Sequence, residues 1–407
     1  SDVYKRQIEG LTFDGSMWFF GFGSIAPFSV RRQSVKKKFL AIPAVVVSAA
    51  MAMTGCAKAP DEEPAKDTSA ASSSSGTGST AKSDVKACMV SDTAGFTDKS
   101  FNQTSLAGLE RAEKELGVKI AKVESKSDKD YAVNIKSLVD TKCDLIVSVG
   151  FLLDKTTVAA AKENPNVKFA IVDDQPQGAP NNLKPLIFNT AQSSFEAGYL
   201  AAALTKTGKV GTFGGMKIPT VTIFMDGFAQ GVEYYNKQKG KDVKVLGWNA
   251  KSQDGQFVPQ PDPFQNVAGG KSTAQTLLNQ GADIILPVAG NAGNGALQAV
   301  KASGGKSNVI WVDADGCRTQ ASYCDNIISS VYKGMDVAVF DAVKAVKDGK
   351  FNGDPYIGSL ADKGTGLSDF HTFDSKAPAD VRKELKTVEK DIASGKIKIV
   401  SAAQPLK

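Results

Sequence analysis

The chain has 407 residues, of which 42% are hydrophobic and 23% are charged, so it can bury a substantial core and is long enough for two domains. The formal net charge is +6, and basic residues crowded ahead of the first apolar run supply part of it: Arg31, Arg32, Lys36, Lys37 and Lys38. Since the rest is closer to neutral and shows no basic patch with interleaved aromatic residues, the sequence argues against a nucleic-acid partner.

An export signal is predicted ahead of Cys56. A basic segment precedes the apolar run 39–53, and small residues lead from that run to the cysteine. This order is typical of a bacterial lipoprotein signal, and the apolar run is too short to span a bilayer comfortably. We therefore predict a leader and signal peptide over 1–55, a lipidated Cys56 as the mature N-terminus, and a location on the extracytoplasmic face of the cell membrane.

A flexible tether is predicted over 56–85. This segment is rich in Ser, Ala, Gly, Thr, Lys and Glu, and it lacks the apolar content needed to offset the entropy of ordering. Such a tether would let a folded module stand off the membrane and reach a transporter.

From Lys86 onward, short apolar runs alternate with helical patterns, which indicates βαβ units and parallel sheets. The predicted strands are 86–90, 119–124, 145–149, 168–172, 186–188, 209–214, 244–248, 284–287, 309–312 and 327–330. The predicted helices are 102–116, 131–141, 155–164, 193–205, 225–236, 269–280, 293–303 and 336–348. The two halves repeat this order, so we expect two Rossmann-like lobes, 86–205 and 206–407, with C-terminal segments crossing back between them. Ligands bind outside the carboxyl ends of parallel strands, so facing lobes would form a cleft.

The four cysteines after Cys56 contain no C-x2-C pair of the kind that holds zinc, so we expect no metal site. Cys317 and Cys324 are close enough in sequence to close a loop with a disulfide if the compartment is oxidising. Cys88 and Cys143 lie in apolar stretches and are interpreted as buried strand ends.

The stretch VSDTAGFTDKSFNQ at 90–103 closely resembles the first ligand loop of the basic membrane protein (BMP) family of nucleoside-binding lipoproteins, and its DKSFNQ core is the most specific part. The resemblance extends as far as about His371. In chain order, the matching segments are 149–152, 169–173, 195–200, 224–232, 281–285, 312–315 and 329–333. It implies an α/β type I periplasmic-binding-protein fold, with three crossovers between the lobes and a purine nucleoside enclosed at the hinge. It also implies that permease subunits of an ABC importer receive the ligand. Two segments depart from the family pattern, the loop 290–295 and the proline-rich 251–263.

A nucleoside offers a flat π surface, hydrogen-bonding base edges and a ribose diol, so its pocket needs aromatic faces, an amide or carboxylate, and charged groups. By the family resemblance, Asn102 and Asp98 are the first choices for the base. Alternatively, Asp98 or Ser100 caps the helix that starts near Asn102.

Aromatic faces for the base are expected from Phe264, which matches the family's stacking residue in the second lobe, and from Phe96 or Phe101 on the opposite side. For each of these rings, burial in the core is the alternative. Gly290 would let the backbone approach the sugar closely.

The ribose is expected to contact Asp313, directly after a strand, and Lys333, just past the next strand. A salt bridge without a ligand role is the alternative for this pair. Asp315 could replace Asp313, because both lie on the same loop.

Other classes of protein find less support in the sequence. A catalytic triad would depend on the single histidine, His371, and no GxGxxG motif follows the first strand. We therefore predict neither an enzyme nor a bound cofactor, and the main competing class is an enzyme on a Rossmann-like fold, such as a nucleoside-processing hydrolase or a dinucleotide-dependent reductase. A regulator of similar architecture would need a DNA-binding headpiece in place of the signal and tether. A receptor for a sugar or another small ligand on the same fold remains open, as does a sensing role.

Overall fold

The computed structural model describes residues 83–405. The predicted leader, the lipidation site Cys56 and all but the last residues of the predicted tether lie outside the described residues. Within 83–405, none of the helices combines the length and the apolar character needed to cross a membrane.

The first part of the described chain alternates strands and helices in βα order. Its strands are β1 Lys86–Val90, β2 Lys119–Val123, β3 Leu145–Val149, β4 Lys168–Val172 and β5 Leu183–Phe188. Its helices are α1 Phe101–Leu116, α2 Asp130–Asp140 and α3 Asp154–Glu163.

The second part repeats this order and adds short elements. Its strands are β6 Lys209–Gly214, β7 Lys244–Leu246, β8 Trp248–Asn249, β9 Asp254–Gly255, β10 Ile284–Val288, β11 Asn308–Asp313, β12 Ile327–Lys333, β13 Tyr356–Gly358 and β14 Thr365–Leu367. Its helices are α4 Thr190–Leu204, α5 Pro219–Lys239, α6 Val267–Asn279, α7 Gly293–Ala302, α8 Gly316–Thr319, α9 Met335–Lys347 and α10 Ala379–Ala393.

Two six-stranded sheets organise these elements into two lobes. The first sheet has the order β13-β5-β4-β3-β1-β2 and the second has the order β14-β12-β11-β10-β6-β7, so five strands occupy equivalent places in each. All pairings in both sheets are parallel except that of β14 with β12. The central strands are buried along their whole length, as in β3, because helices cover both faces of a parallel sheet.

The chain passes between the lobes three times. It leaves the first sheet after β5, returns after β12 so that α9 packs on α1, and contributes β13 to the first sheet before β14 joins the second. Three crossovers were expected from the family resemblance.

Helix α4 belongs to the second lobe, although the predicted first lobe of 86–205 included it. Its residues Phe195 and Leu200 share a core with Phe224 and Phe228 of α5. The two helices touch closely at glycines, since a Cβ on Gly198 would lie 2.0 Å from the carbonyl oxygen of Phe228. The first segment of the first lobe therefore ends near residue 189 rather than 205, and α9 and β13 complete this lobe.

The four cysteines within residues 83–405 form two disulfides. The expected pair Cys317–Cys324 is present, with a sulfur–sulfur distance of 2.06 Å. Cys88 and Cys143 are buried, as interpreted from the sequence, but they also form a disulfide that the sequence analysis did not predict. Cys88 lies in β1 and Cys143 comes just before β3, and the parallel pairing of these strands brings the two side chains together.

Candidate ligand-binding site

A cavity lies between the lobes, at the edge where the parallel strands of both sheets end. Its empty space is about 620 Å³, including the part that opens to solvent. Predicted site residues in its lining are Asp98, Phe101, Asn102, Phe264, Gly290, Asp313 and Lys333. Further lining residues include Asp92, Gly150, Phe151, Asp173, Phe224 and Asn291.

Asp98 caps helix α1 and also lines the cavity. Its carboxylate accepts hydrogen bonds from the backbone amides of Ser100 at 3.1 Å, Asn102 at 2.8 Å and Gln103 at 3.0 Å. These amides are the donors that a helix N-terminus otherwise offers to an anion. Asp98 therefore caps the helix, as the alternative interpretation of the sequence proposed. Its carboxylate occupies the end of α1 that could otherwise bind an anion.

Asn102 is held by two carboxylates on one side of its amide. Its Nδ2 donates to Asp92 Oδ1 at 2.9 Å and to Asp98 Oδ2 at 3.1 Å. The acceptor Oδ1 must then point away from them, and it is buried without a hydrogen-bond partner among residues 83–405. A buried unpaired acceptor costs stability, so Asn102 is suited to receive an N–H donor from a ligand.

Asp92 is a site residue that sequence reasoning missed, although it lies in the ligand loop that carries the family resemblance. It sits two residues after β1, and burial raises the pKa of its carboxyl to about 6, against the effect of hydrogen bonds from Ala94 and Asn102. Its position just after a strand end was the signal available in the sequence, and the same signal led to the choice of Asp313, which lines the same cavity.

Lys333 bridges the two lobes inside the cavity. Its ammonium lies 2.6 Å from Asp173 Oδ2 in the first lobe and 3.1 Å from Asp313 Oδ1 in the second. Burial lowers the pKa of Lys333, but the attraction of the two carboxylates outweighs it and leaves the pKa above its usual value. The expected pair of Asp313 and Lys333 is thus a three-residue bridge, and Asp173 is the partner that the sequence analysis did not name.

Asp173 and Asp313 occupy equivalent places in the two lobes. Each stands at the end of the matching strand, β4 or β11, and their φ angles are 64° and 69°. Residues other than glycine are uncommon in this left-handed region, and they are found there preferentially at functional sites. A second contact between the lobes is a hydrogen bond of 3.3 Å in which Ser100 Oγ donates to Asp313 Oδ2.

Two of the three predicted phenylalanines line the cavity, Phe101 and Phe264. Phe264 is half-buried against Gly215, where a Cβ would come within 2.5 Å of its ring. Phe96 does not line the cavity, because its side chain packs into the core of the first lobe and is only 6% exposed. Phe224 of α5 lines the cavity instead, with the Lys333 ammonium 4.8 Å from its ring centroid.

Asp315 lies outside the cavity lining, whereas Asp313 lies within it. The Asp315 carboxylate accepts a hydrogen bond from the backbone amide of Cys317 at 3.1 Å and lies 2.8 Å from His371 Nε2. The loop therefore turns its two carboxylates to different sides of the molecule.

The charges of the lining favour a neutral or cationic ligand over an anion. Four carboxyl groups line the cavity, from Asp92, Asp98, Asp173 and Asp313, against the single ammonium of Lys333 within the described residues. Like charges in a poorly solvated site repel strongly. A polar ligand with hydroxyl and N–H groups can use these acceptors directly.

The model of the PnrA-like ABC transporter substrate-binding proteins, also called Bmp, matches residues 85–401. The chain belongs to this family. The resemblance to the basic membrane protein family is thereby confirmed, and the chain is an ABC transporter substrate-binding protein.

Known relatives agree with the family assignment. The chain is 30% identical to the ABC transporter nucleoside-binding protein BmpA of Lactococcus lactis, over 90% of this chain and all of that protein. It is 32% identical to an uncharacterized lipoprotein of Pyrococcus abyssi, over 70% of this chain and 69% of that protein. A crystal structure of an ABC transporter solute-binding protein from Aeropyrum pernix superposes with a TM-score of 0.70 at 28% identity, over 79% of this chain and 94% of the other. The two-lobed periplasmic-binding-protein fold expected from the sequence is confirmed.

Proposed function

We propose that this substrate-binding protein is a lipid-anchored receptor that encloses a purine nucleoside and delivers it to the permease subunits of an ABC importer. One observation carries the proposal: an unpaired amide acceptor, several phenylalanine rings and a buried lysine–carboxylate bridge meet in one cavity between the lobes. The relative from Lactococcus lactis bears a nucleoside-binding name, which supports the same ligand class.

The base is proposed to lie beside Asn102, between Phe101 and Phe264. Asn102 Oδ1 would accept an N–H of the purine, and Asp92 and Asp98 hold the amide in the orientation that presents this oxygen. Aromatic faces add attraction for a flat base that a sugar alone cannot exploit.

The ribose is proposed to lie toward Asp313 and Lys333, with Gly290 beneath it. A carboxylate accepts hydrogen bonds from a vicinal diol, and the ammonium donates to its oxygens. Gly290 has a φ of 51° and lines the cavity without a side chain, so its backbone can approach the sugar. Closure of the lobes on the ligand would then be coupled to the bridge between Asp173 and Lys333.

The proposed ligand is a nucleoside rather than a nucleotide. The N-terminal amides of α1 that could hold a phosphate already bind Asp98. A phosphate would bring close to two negative charges toward four carboxyl groups.

Calorimetric titration of the exported protein tests this proposal. Inosine, guanosine and adenosine are expected to bind more tightly than ribose, since stacking contributes about 1–3 kcal/mol per base, and inosine 5′-monophosphate should bind more weakly than inosine. The variant Phe264→Ala should lose about 1–3 kcal/mol of purine nucleoside affinity and leave ribose binding unchanged. Phe351→Ala, at a half-buried ring outside the cavity lining, is the matched control.

Ribose or another sugar that binds as well as inosine would reject the proposed ligand in favour of a sugar receptor. If uridine binds as tightly as inosine, the site has no preference for purines but is still a nucleoside site.

The lipid anchor is proposed at Cys56, supported by the basic and apolar segments that precede it and by the lipoprotein name of the Pyrococcus abyssi relative. Two acyl chains suffice for stable membrane attachment. Palmitate labelling of the expressed precursor should depend on this thiol, so Cys56→Ser should give an unlabelled protein that is released from the membrane. A variant that stays labelled and membrane-bound would exclude Cys56 as the anchor.

A further inference from the structure

Four side chains of metal-ligating types meet beside the loop that follows β11, away from the ligand cavity. Asp315 caps the short helix α8, Cys317 lies within it, Cys324 follows in a 3-10 turn, and His371 starts another 3-10 turn after β14. Three ligand atoms, one each from Asp315, Cys317 and His371, lie within 4.8 Å of one another. The sulfur of Cys324 is bonded to that of Cys317. The fold thus assembles the set from segments 56 positions apart.

Three of the four ligand atoms, from Asp315, Cys317 and His371, lie near enough to one another to share one zinc ion after small side-chain movements. Zinc binds nitrogen and oxygen at about 2.0–2.2 Å and thiolate at about 2.3 Å, so neighbouring ligand atoms in a tetrahedron lie roughly 3.3–3.8 Å apart. His371 Nε2 and Asp315 Oδ2 are 2.8 Å apart here, and a small opening of this contact would admit the ion between them. Once the disulfide is opened, Cys324 would have to turn toward these three groups, and two thiolates, one imidazole and one carboxylate then form a complete set of four ligands for zinc.

We propose that this cluster is a redox-controlled zinc site, closed by the disulfide in the oxidised chain and able to hold Zn²⁺ in the reduced chain. A dithiol reductant would transfer two electrons and two protons to the Cys317–Cys324 bond, and would itself become a cyclic disulfide. Zn²⁺ would then displace the two thiol protons to solvent and bind both thiolates, with neutral His371 and ionised Asp315 completing the coordination.

Access to the cluster favours this role. Cys317, Cys324 and His371 are all partly exposed, so a reductant and an ion can both reach them. Arg318 also approaches Asp315, with its Nε 3.2 Å from Oδ2, but its side chain is 77% exposed and can turn aside into solvent. The other disulfide, Cys88–Cys143, is buried, and no histidine joins it in a metal-ligating group within the described residues.

Metal titration of the full chain in detergent tests the proposal, with Cys56→Ser to remove the cysteine that belongs to neither of the two disulfides. A phosphine reductant, which consumes one water and becomes a phosphine oxide, would open the disulfide without competing strongly for metal. The reduced chain is expected to bind one equivalent of Co²⁺ with a thiolate-to-cobalt charge-transfer band, and Zn²⁺ should displace it. The oxidised chain should show neither band nor stoichiometric zinc binding.

Variants separate a built site from adventitious binding. Cys317→Ser/Cys324→Ser should abolish the cobalt band, and His371→Gln and Asp315→Asn should each weaken zinc binding at least tenfold. Asp325→Asn, at an exposed carboxylate of the same segment that makes no ion pair with residues 83–405, should leave zinc binding unchanged. Equal zinc binding by the oxidised and reduced chains, or an unchanged affinity in His371→Gln, would overturn the proposal. The metal titration and the variant measurements use no nucleoside, so their outcomes do not depend on the proposed transport ligand.

Discussion

Replacing Lys333 by methionine is expected to lower the free energy of unfolding by about 3–5 kcal/mol, because it leaves two buried carboxylates without their shared cation. Lys333 is 4% exposed, and Asp173 and Asp313 are 6% and 7% exposed, so water cannot replace the lost ammonium. Methionine keeps most of the aliphatic volume, so the packing against Phe224 is largely retained. Urea denaturation with an unchanged slope would measure the effect.

The sign of the pH dependence identifies the cause of that loss. Burial and repulsion from Asp313 raise the pKa of the Asp173 carboxyl in the folded state against the opposing effect of Lys333, so removing Lys333 raises this pKa further above its unfolded value. The folded variant then binds more protons than the unfolded chain, so its stability falls as the pH rises through this range and recovers as the pH is lowered from 7 toward 5. The native protein shares the raised pKa of other buried carboxyl groups, such as that of Asp92 at about 6, so the effect of Lys333 is the additional recovery of the variant over the native protein.

Two further variants control the experiment. Asp173→Asn combined with Lys333→Met removes one of the unpaired charges and should be less destabilised than Lys333→Met alone. Lys390→Met changes an exposed lysine of α10 that makes no ion pair with residues 83–405, and it should leave the unfolding free energy nearly unchanged. If Lys333→Met unfolds at the same urea concentration as the native protein, the bridge does not stabilise the fold.

The central strands could be predicted because continuous apolar runs are bounded by polar residues or glycine. Strands β3 and β4 have the predicted bounds, whereas helix α5 begins at Pro219, six residues before the predicted start at Met225. The first turn of α5 carries no acidic residue and no side-chain cap, so the pattern held no start signal beyond the proline itself.

The last elements of the chain were missed for two different reasons. Helix α10 buries Val381, Leu385, Val388 and Ile392, a spacing of four, three and four residues that is typical of an amphipathic helix, so the sequence did contain this signal. Strands β13 and β14 have three residues each, which is too short for a pattern, and they exist because a neighbouring strand in the sheet pairs with them.

The site could be predicted one lobe at a time but not across the lobes. Parallel strands end at one edge, which is why residues after strand ends, such as Asp313, could be named from the sequence. The partner of Lys333 in the first lobe, Asp173, lies 160 positions away, and no local pattern encodes that contact. Phe96 lies in the loop before α1, whereas Phe101 is the first residue of α1, and the sequence pattern did not show which of the two rings faces the cavity.

Replacing Asp313 by asparagine is expected to weaken nucleoside binding by about 1.5–3 kcal/mol, roughly 10- to 150-fold, if this carboxylate accepts hydrogen bonds from the ribose diol. The side chain lies in the cavity lining and is 7% exposed, so water compensates little for a weakened contact. Asparagine keeps the size of the side chain and an acceptor for Ser100, but it removes the charge that faces Lys333.

A ligand that lacks the ribose hydroxyls distinguishes direct contact of Asp313 with the ribose from an effect of Asp313 on Lys333. Native protein should bind inosine more tightly than 2′,3′-dideoxyinosine, and Asp313→Asn should reduce that preference because the lost hydroxyls and the lost charge belong to the same interaction. Asp325→Asn, at an exposed carboxylate outside the cavity lining, should keep the full preference. If Asp313→Asn weakens both ligands equally, Asp313 acts through Lys333 and the closure of the lobes, and the ribose must be bound by other groups of the cavity.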